Sequence, residues 1–143
     1  MTAAQNPSDN PLLGVLPAAV ALARILEAET DRALAIVGLT APGFLALREI
    51  RSGLATTQRD LARRLHLEPS TTCELLARLE RRRLVTRSVD HHAAGRASRG
   101  ATGRPSRRAA PPTLTPAGAA ALGRAEKVVA RLEGEWARRM AAA

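Results

Sequence analysis

Aromatic residues are almost absent from this chain of 143 residues, which has one Phe (Phe44), one Trp (Trp136) and no Tyr. A buried core must then be built from Leu, Ala, Val and Ile, a palette that suits helices better than sheets. Cysteine is as scarce. Cys73 stands alone, which excludes an intrachain disulfide and a cysteine cluster for zinc, and agrees with a reducing compartment. His91 and His92 have only Asp90 as an acidic neighbour, so they read as solvated side chains and not as metal ligands. No apolar run approaches the roughly 20 residues that span a bilayer, and Met1 to Asn10 lacks a basic stretch followed by an apolar one. The carboxylates are scattered and no glycine loop follows a strand, so nothing points to catalysis. These absences predict a cytoplasmic chain forming one compact domain, with no membrane contact, no cofactor and no metal.

What is abundant is arginine, and its placement says more than the net charge of +9. Residues 1–40 hold two basic and four acidic side chains, and residues 113–143 hold five and three. The middle, 41–112, holds 15 and six, so the whole excess lies in one segment. Within it, residues 81–108 carry nine arginines against Asp90 alone. A block of that kind attracts a polyanion, because neutralising phosphates releases their counterions.

Local patterning gives that segment a frame. Apolar residues from Leu16 to Val37 recur at helical spacing, with Pro17 fitting the first turn and Gly38 the end. Thr40 precedes a short helix through Phe44, Leu47 and Ile50 to Ser52-Gly53, and Leu54 to Thr56 has room for a brief strand. Thr57-Gln58-Arg59-Asp60 has the hydroxyl and the acid that close a helix start, with Leu61, Ala62 and Leu65 on the buried side. A turn at His66-Leu67-Glu68 leads to Pro69, which suits the first position of a helix reaching about Arg82. In that helix Thr72, Leu75, Leu76 and Leu79 form one inward stripe, which leaves Ser70, Glu74, Ala77 and Arg81 pointing the other way.

Two short helices joined by a three-residue turn, the second with a polar outer face, make a helix-turn-helix. Leu84 to Val89 then alternates as a strand would, and Thr113 to Thr115 can return beside it. The tip between them, 91–112, has glycines, prolines and arginines but almost nothing apolar larger than alanine, so it cannot pack a core. Thr115-Pro116 caps a last helix over 117–140, with Leu122, Ala125, Val129, Leu132 and Trp136 along one side. The fold class is therefore mainly α, a winged helix-turn-helix with a small β-hairpin wing between flanking helices. Residues 1–11 read as a disordered start.

These residues resemble the MarR family of bacterial winged-helix regulators. The likeness runs from Gly38-Leu39-Thr40-Ala41-Pro42-Gly43-Phe44 through Thr57 to Leu65 and Pro69-Ser70-Thr71, and closes on Leu114-Thr115-Pro116-Ala117-Gly118. The resemblance implies a homodimer joined by helices at 12–40 and 119–143, with 41–118 reading double-stranded DNA at a pseudo-palindromic operator. By position it places Ser70, Thr71 and Cys73 on base edges and phosphates, with Glu74 on the same face and Arg78 on the backbone. Arg81 and Arg87 extend the basic surface. The wing arginine entering the minor groove would be one or more of Arg96, Arg99, Arg104, Arg107 and Arg108, a task that suits a weakly hydrated planar cation. Glu74 departs from the family, which usually has a basic or polar residue there, and Asp90 lacks its usual Asp-x-Arg partner. A small-molecule effector is expected between the first, second and last helices, with Phe44 and Trp136 as candidate lining. Rings of this kind more often serve as core or dimer-interface anchors. The function expected is a ligand-responsive repressor, with a sequence-indifferent nucleic-acid-binding or architectural protein as the alternative. An oxidation switch at Cys73 is weighed against the plainer reading that a cysteine in a helix is usually a small buried side chain.

Overall fold

The computed structural model describes residues 14–87 and 111–142. Five α-helices and one two-stranded sheet follow in the order α1 (Val15–Leu34), α2 (Ala41–Ser52), α3 (Gln58–Leu65), α4 (Pro69–Arg81), β1 (Val85–Arg87), β2 (Pro112–Leu114) and α5 (Pro116–Ala141). A single 3-10 turn, Ala35–Val37, finishes α1 before Gly38 turns the chain at φ 70°. No single helix among the described residues is long and apolar enough to cross a membrane.

The starts of α2, α3 and α5 are fixed by short polar side chains, as their positions predict. Thr40 accepts from the Gly43 N–H, Thr57 from the Asp60 N–H and Thr115 from the Gly118 N–H, each satisfying a donor that the first turn leaves free. Asp31 adds a second acceptor at the start of α2, its Oδ1 lying 2.5 Å from the Ala41 nitrogen. That contact ties α1 to α2 across ten residues.

The core gathers one face of every helix. Leu34, Leu47, Leu61, Leu76, Leu79 and Leu122 are almost fully buried, and Phe44 closes the cluster at 5% exposure. Burying a leucine stabilises by about 1.5–3 kcal/mol, so these six are a large part of what holds α2 to α5 together and joins the end of α1 to them. By contrast α1 has Leu34 as its one fully buried residue, with Val15, Leu16, Val20, Leu22 and Ile25 exposed.

Three details differ from the sequence expectation. Leu54 to Thr56 forms no strand: the stretch is irregular, with the Leu54 N–H donating to Ser52 Oγ and with Ala55 buried as a plug. The returning strand covers Pro112–Leu114 and not Thr113 to Thr115, because Thr115 is withdrawn from the sheet to cap α5. Val85 pairs with Leu114, Thr86 with Thr113 and Arg87 with Pro112, antiparallel. Cys73 is exposed, which agrees with the outward place that the resemblance gives it and excludes the reading of a small buried side chain, because it follows Thr72 on the helix and the core takes Thr72. The expected disordered start and most of the wing tip lie outside the described residues.

Candidate nucleic-acid interface

The site is built on α3 and α4. Asp60 organises the start of α3: the Thr57 and Thr56 hydroxyls donate to its Oδ2 at 2.8 and 3.0 Å. Those hydrogen bonds, Thr57 first, hold the carboxyl below its usual range. His66 takes the left-handed conformation at φ 53° and ends α3, and the Leu67 N–H returns to the Ala62 carbonyl at 2.9 Å. The chain then enters α4 at Pro69, where the missing N–H costs nothing. Gln58 reaches across from α3 to the Pro69 carbonyl at 3.5 Å.

The stripe Thr72, Leu75, Leu76 and Leu79 is buried, and the Thr72 hydroxyl is satisfied by the Glu68 carbonyl at 3.1 Å. Ser70, Thr71, Cys73, Glu74, Arg78 and Arg81 are all exposed. At 3.6 residues per turn Ser70, Arg81, Glu74, Arg78 and Thr71 fall within about 100° of helix circumference, with Cys73 on the flank. The structure thus brings six of the sequence-predicted residues onto one outward surface of one helix. Glu74 and Arg78 line the same groove with Thr71 but form no ion pair.

Arg87 stands apart from that group. Its guanidinium is gripped by Glu80, with Nη2 to Oε2 at 2.5 Å and a second contact from Nε to Oε1, and the pair is half-buried. The carboxylate raises the arginine's pKa still further and neutralises its field, so Arg87 anchors β1 to the end of α4. Arg96, Arg99, Arg104, Arg107 and Arg108 lie outside the described residues.

Two arginines that the sequence pattern marks only as charge have defined places. Arg82 donates to the Gly38 carbonyl and so ties the end of α4 to the corner between α1 and α2. Arg83 adopts φ 56°, the position where a helix end usually has glycine, and its N–H closes onto the Glu80 carbonyl at 2.8 Å. Its carbonyl accepts from the Thr115 hydroxyl at 2.7 Å. A run of arginine gives no local signal that distinguishes these roles.

Beside the helix-turn-helix lies a cavity of about 390 Å³ between α1, α2 and α5, lined by Leu26, Phe44, Leu45, Leu65, Leu67, Val129 and Trp136, with Glu27, Arg48 and Glu133 among its charged residues. Both aromatic candidates are therefore at this cavity. Phe44 also belongs to the core, and Trp136 is half-buried with its Nε1 donating to Glu29 Oε2 at 2.6 Å. A second groove, bounded by Thr71, Glu74 and Arg78 of α4, shares Glu27, Pro42 and Leu67 with the first. Of these three shared residues, Leu67 lies in the turn between α3 and α4, so it belongs both to the cavity wall and to the entry of the exposed helix.

Comparison with known proteins agrees with this arrangement. The MarR family model matches residues 37–96. No curated protein matches the chain by sequence. The chain is similar to the crystal structure of the Mycobacterium tuberculosis transcriptional regulator MosR, at 25% identity over 88% of this chain and 82% of that one, with a TM-score of 0.69. The same regulator in complex with DNA aligns at 28% identity over 84% and 77%, with a TM-score of 0.64. The M. tuberculosis MarR family protein RV2887 in complex with salicylic acid aligns at 30% identity, covering 92% of this chain and 87% of that one, with a TM-score of 0.67. An exposed α4 set on a helix-turn-helix, a hairpin wing and these relatives lead to one assignment: the chain belongs to the MarR family of winged-helix transcriptional regulators.

Proposed function

We propose that the protein binds a pseudo-palindromic operator as a homodimer, represses transcription there, and releases the DNA when a small molecule occupies the cavity beside α3. The observation that carries this reading is the outer face of α4, where Ser70, Thr71, Cys73, Glu74, Arg78 and Arg81 are exposed above a stripe held in the core. Hydroxyls and a carboxylate offer donors and acceptors to base edges, and Arg78 and Arg81 supply charge for phosphate. Glu74 suits a cytosine amino group, which donates to a carboxylate. The arginines of the wing then contribute affinity more than sequence choice.

The exposed apolar side chains of α1 support the dimer. Val15, Leu16, Val20, Leu22 and Ile25 are each at least 46% exposed and are spread around more than half of the α1 circumference, and so much large apolar side chain is rarely left to water. A dimer formed by α1 and α5 would cover it, leaving 41–118 to face DNA. The shared wall at Leu67 supports ligand response, since a molecule filling the cavity presses on the turn that sets the angle of α4. The relatives solved with DNA and with salicylic acid are consistent with both halves of this reading.

The excess positive charge of residues 41–112 favours a second reading, a sequence-indifferent nucleic-acid binder. Competition between the chain's own upstream DNA and random duplex at one salt concentration tests them. The regulator reading expects a preference of about 10³ or more, and a ratio near one supports the alternative.

A further inference from the structure

We infer that the cavity between α1, α2 and α5 takes a lipophilic organic cation, an amine or quaternary ammonium on an apolar body, in preference to an aromatic acid. The inference rests on the ligand-responsive reading above and gives its ligand a chemical class. Both aromatic rings of the chain, Phe44 and Trp136, line this one cavity. An aromatic face attracts a cation through its quadrupole, and does so more strongly where water is thinned out. Leu26, Leu45, Leu65, Leu67 and Val129 complete an apolar wall, and a volume of about 390 Å³ admits a small organic molecule.

The charge at the cavity has the matching sign. Glu27 and Glu133 line it against Arg48 alone, a net charge of −1 in a chain whose total is +9. The adjoining groove adds Asp31 and Glu74 against Arg78 and shares Glu27, so the two spaces together have four carboxylates and two guanidiniums. An anion entering here would meet two carboxylates for each cation. A cation would meet carboxylates at the edge and aromatic carbon within. The Trp136 N–H already donates to Glu29, so a ligand carboxylate cannot take that donor without breaking a 2.6 Å hydrogen bond.

Trp136 is the only tryptophan, so the emission of the full-length protein reports on this cavity directly. The probes are benzyltrimethylammonium, its neutral isostere neopentylbenzene, and salicylate. The cation is expected to shift the emission saturably and to bind about fivefold or more tighter than the isostere, with salicylate weakest. In the double variant Glu27→Gln, Glu133→Gln the preference for the cation over the isostere should fall about fivefold. Both side chains are exposed, so the variant is expected to fold, and unchanged thermal unfolding is the control. Equal binding of cation and isostere, tighter binding of salicylate, or a preference that survives the double variant overturns the inference. Release of DNA is read separately. Cation binding without release upholds the ligand class and overturns ligand-responsive repression, whereas release by an acid but not by the cation overturns the ligand class alone.

Discussion

Gly118 and the Leu84 carbonyl are packed so closely that a Cβ on the glycine would lie 1.9 Å from the oxygen. The same oxygen accepts from the Thr115 N–H at 3.1 Å, and the Thr115 hydroxyl reaches the Arg83 carbonyl while capping α5. The segment Thr115-Pro116-Ala117-Gly118 is thereby a clamp between α5 and the base of the wing. Its threonine supplies the bonds, and its glycine allows the approach.

Gly118→Ala is expected to destabilise the fold by about 2–4 kcal/mol, because the neighbour is backbone and can move only with β1. Gly123→Ala is the control. Nothing lies within 4 Å of its Cβ position, and alanine in a helix interior should stabilise by about 0.5–1 kcal/mol. Urea denaturation of the two variants checks both signs, and equal effects would show that the Gly118 contact is not tight.

Arg83→Gly should stabilise the isolated protein by about 0.5–1 kcal/mol, since φ 56° strains any residue with a Cβ. A lower thermal midpoint in the variant would mean that the Arg83 side chain contributes more than its backbone costs.

Asp60 accepts from the Thr57 and Thr56 hydroxyls, which hold its pKa below 3.8 in the folded state. A depressed carboxyl contributes stability that is present above its unfolded pKa and is lost as pH falls through the folded one. Carbon-detected NMR titration should therefore find the Asp60 midpoint below that of an ordinary aspartate, and Thr57→Ala should raise it toward the ordinary value. Denaturation followed in acid should show less pH dependence in Asp60→Asn than in the parent. An Asp60 midpoint at or above that of an ordinary aspartate would contradict the hydroxyl cradle.

Replacing Arg96, Arg99 and Arg104 together with alanine is expected to weaken binding to every duplex and to flatten the dependence of log K on log salt, by about 0.9 for each phosphate that is no longer neutralised. A filter-binding series across salt concentration reads the slope. An unchanged slope would show that these arginines do not touch the backbone.

Much of the fold was legible because its signals are local. The caps at Thr40, Thr57 and Thr115 act over three residues, and the stripe Thr72, Leu75, Leu76 and Leu79 is fixed by the helical period, so α2 to α5 fall where the sequence places them. The exposed candidates of α4 follow from that stripe by subtraction. What was not legible depends on tertiary contact. Asp31 reaches Ala41 only because α1 folds back on α2, and the Glu80 and Arg87 pair forms only once β1 turns beside α4. Leu54 to Thr56 has room for a strand but pairs with no strand among the described residues. Cys73 has the small size of a core residue, yet its position on the helix decides its exposure. The cavity unites Leu26 with Trp136, which are 110 positions apart, so no window along the chain contains it, and only the family resemblance pointed to its place and to Phe44 and Trp136.

In the proposed function the outer face of α4 reads sequence while the wing supplies charge. Comparing the double variant Ser70→Ala, Thr71→Ala with the parent, each bound to its own upstream DNA and to random duplex at the same salt, tests it most directly. The account predicts that the preference for upstream DNA falls by about tenfold or more while affinity for random duplex is nearly unchanged. A loss of equal size on both DNAs would contradict it.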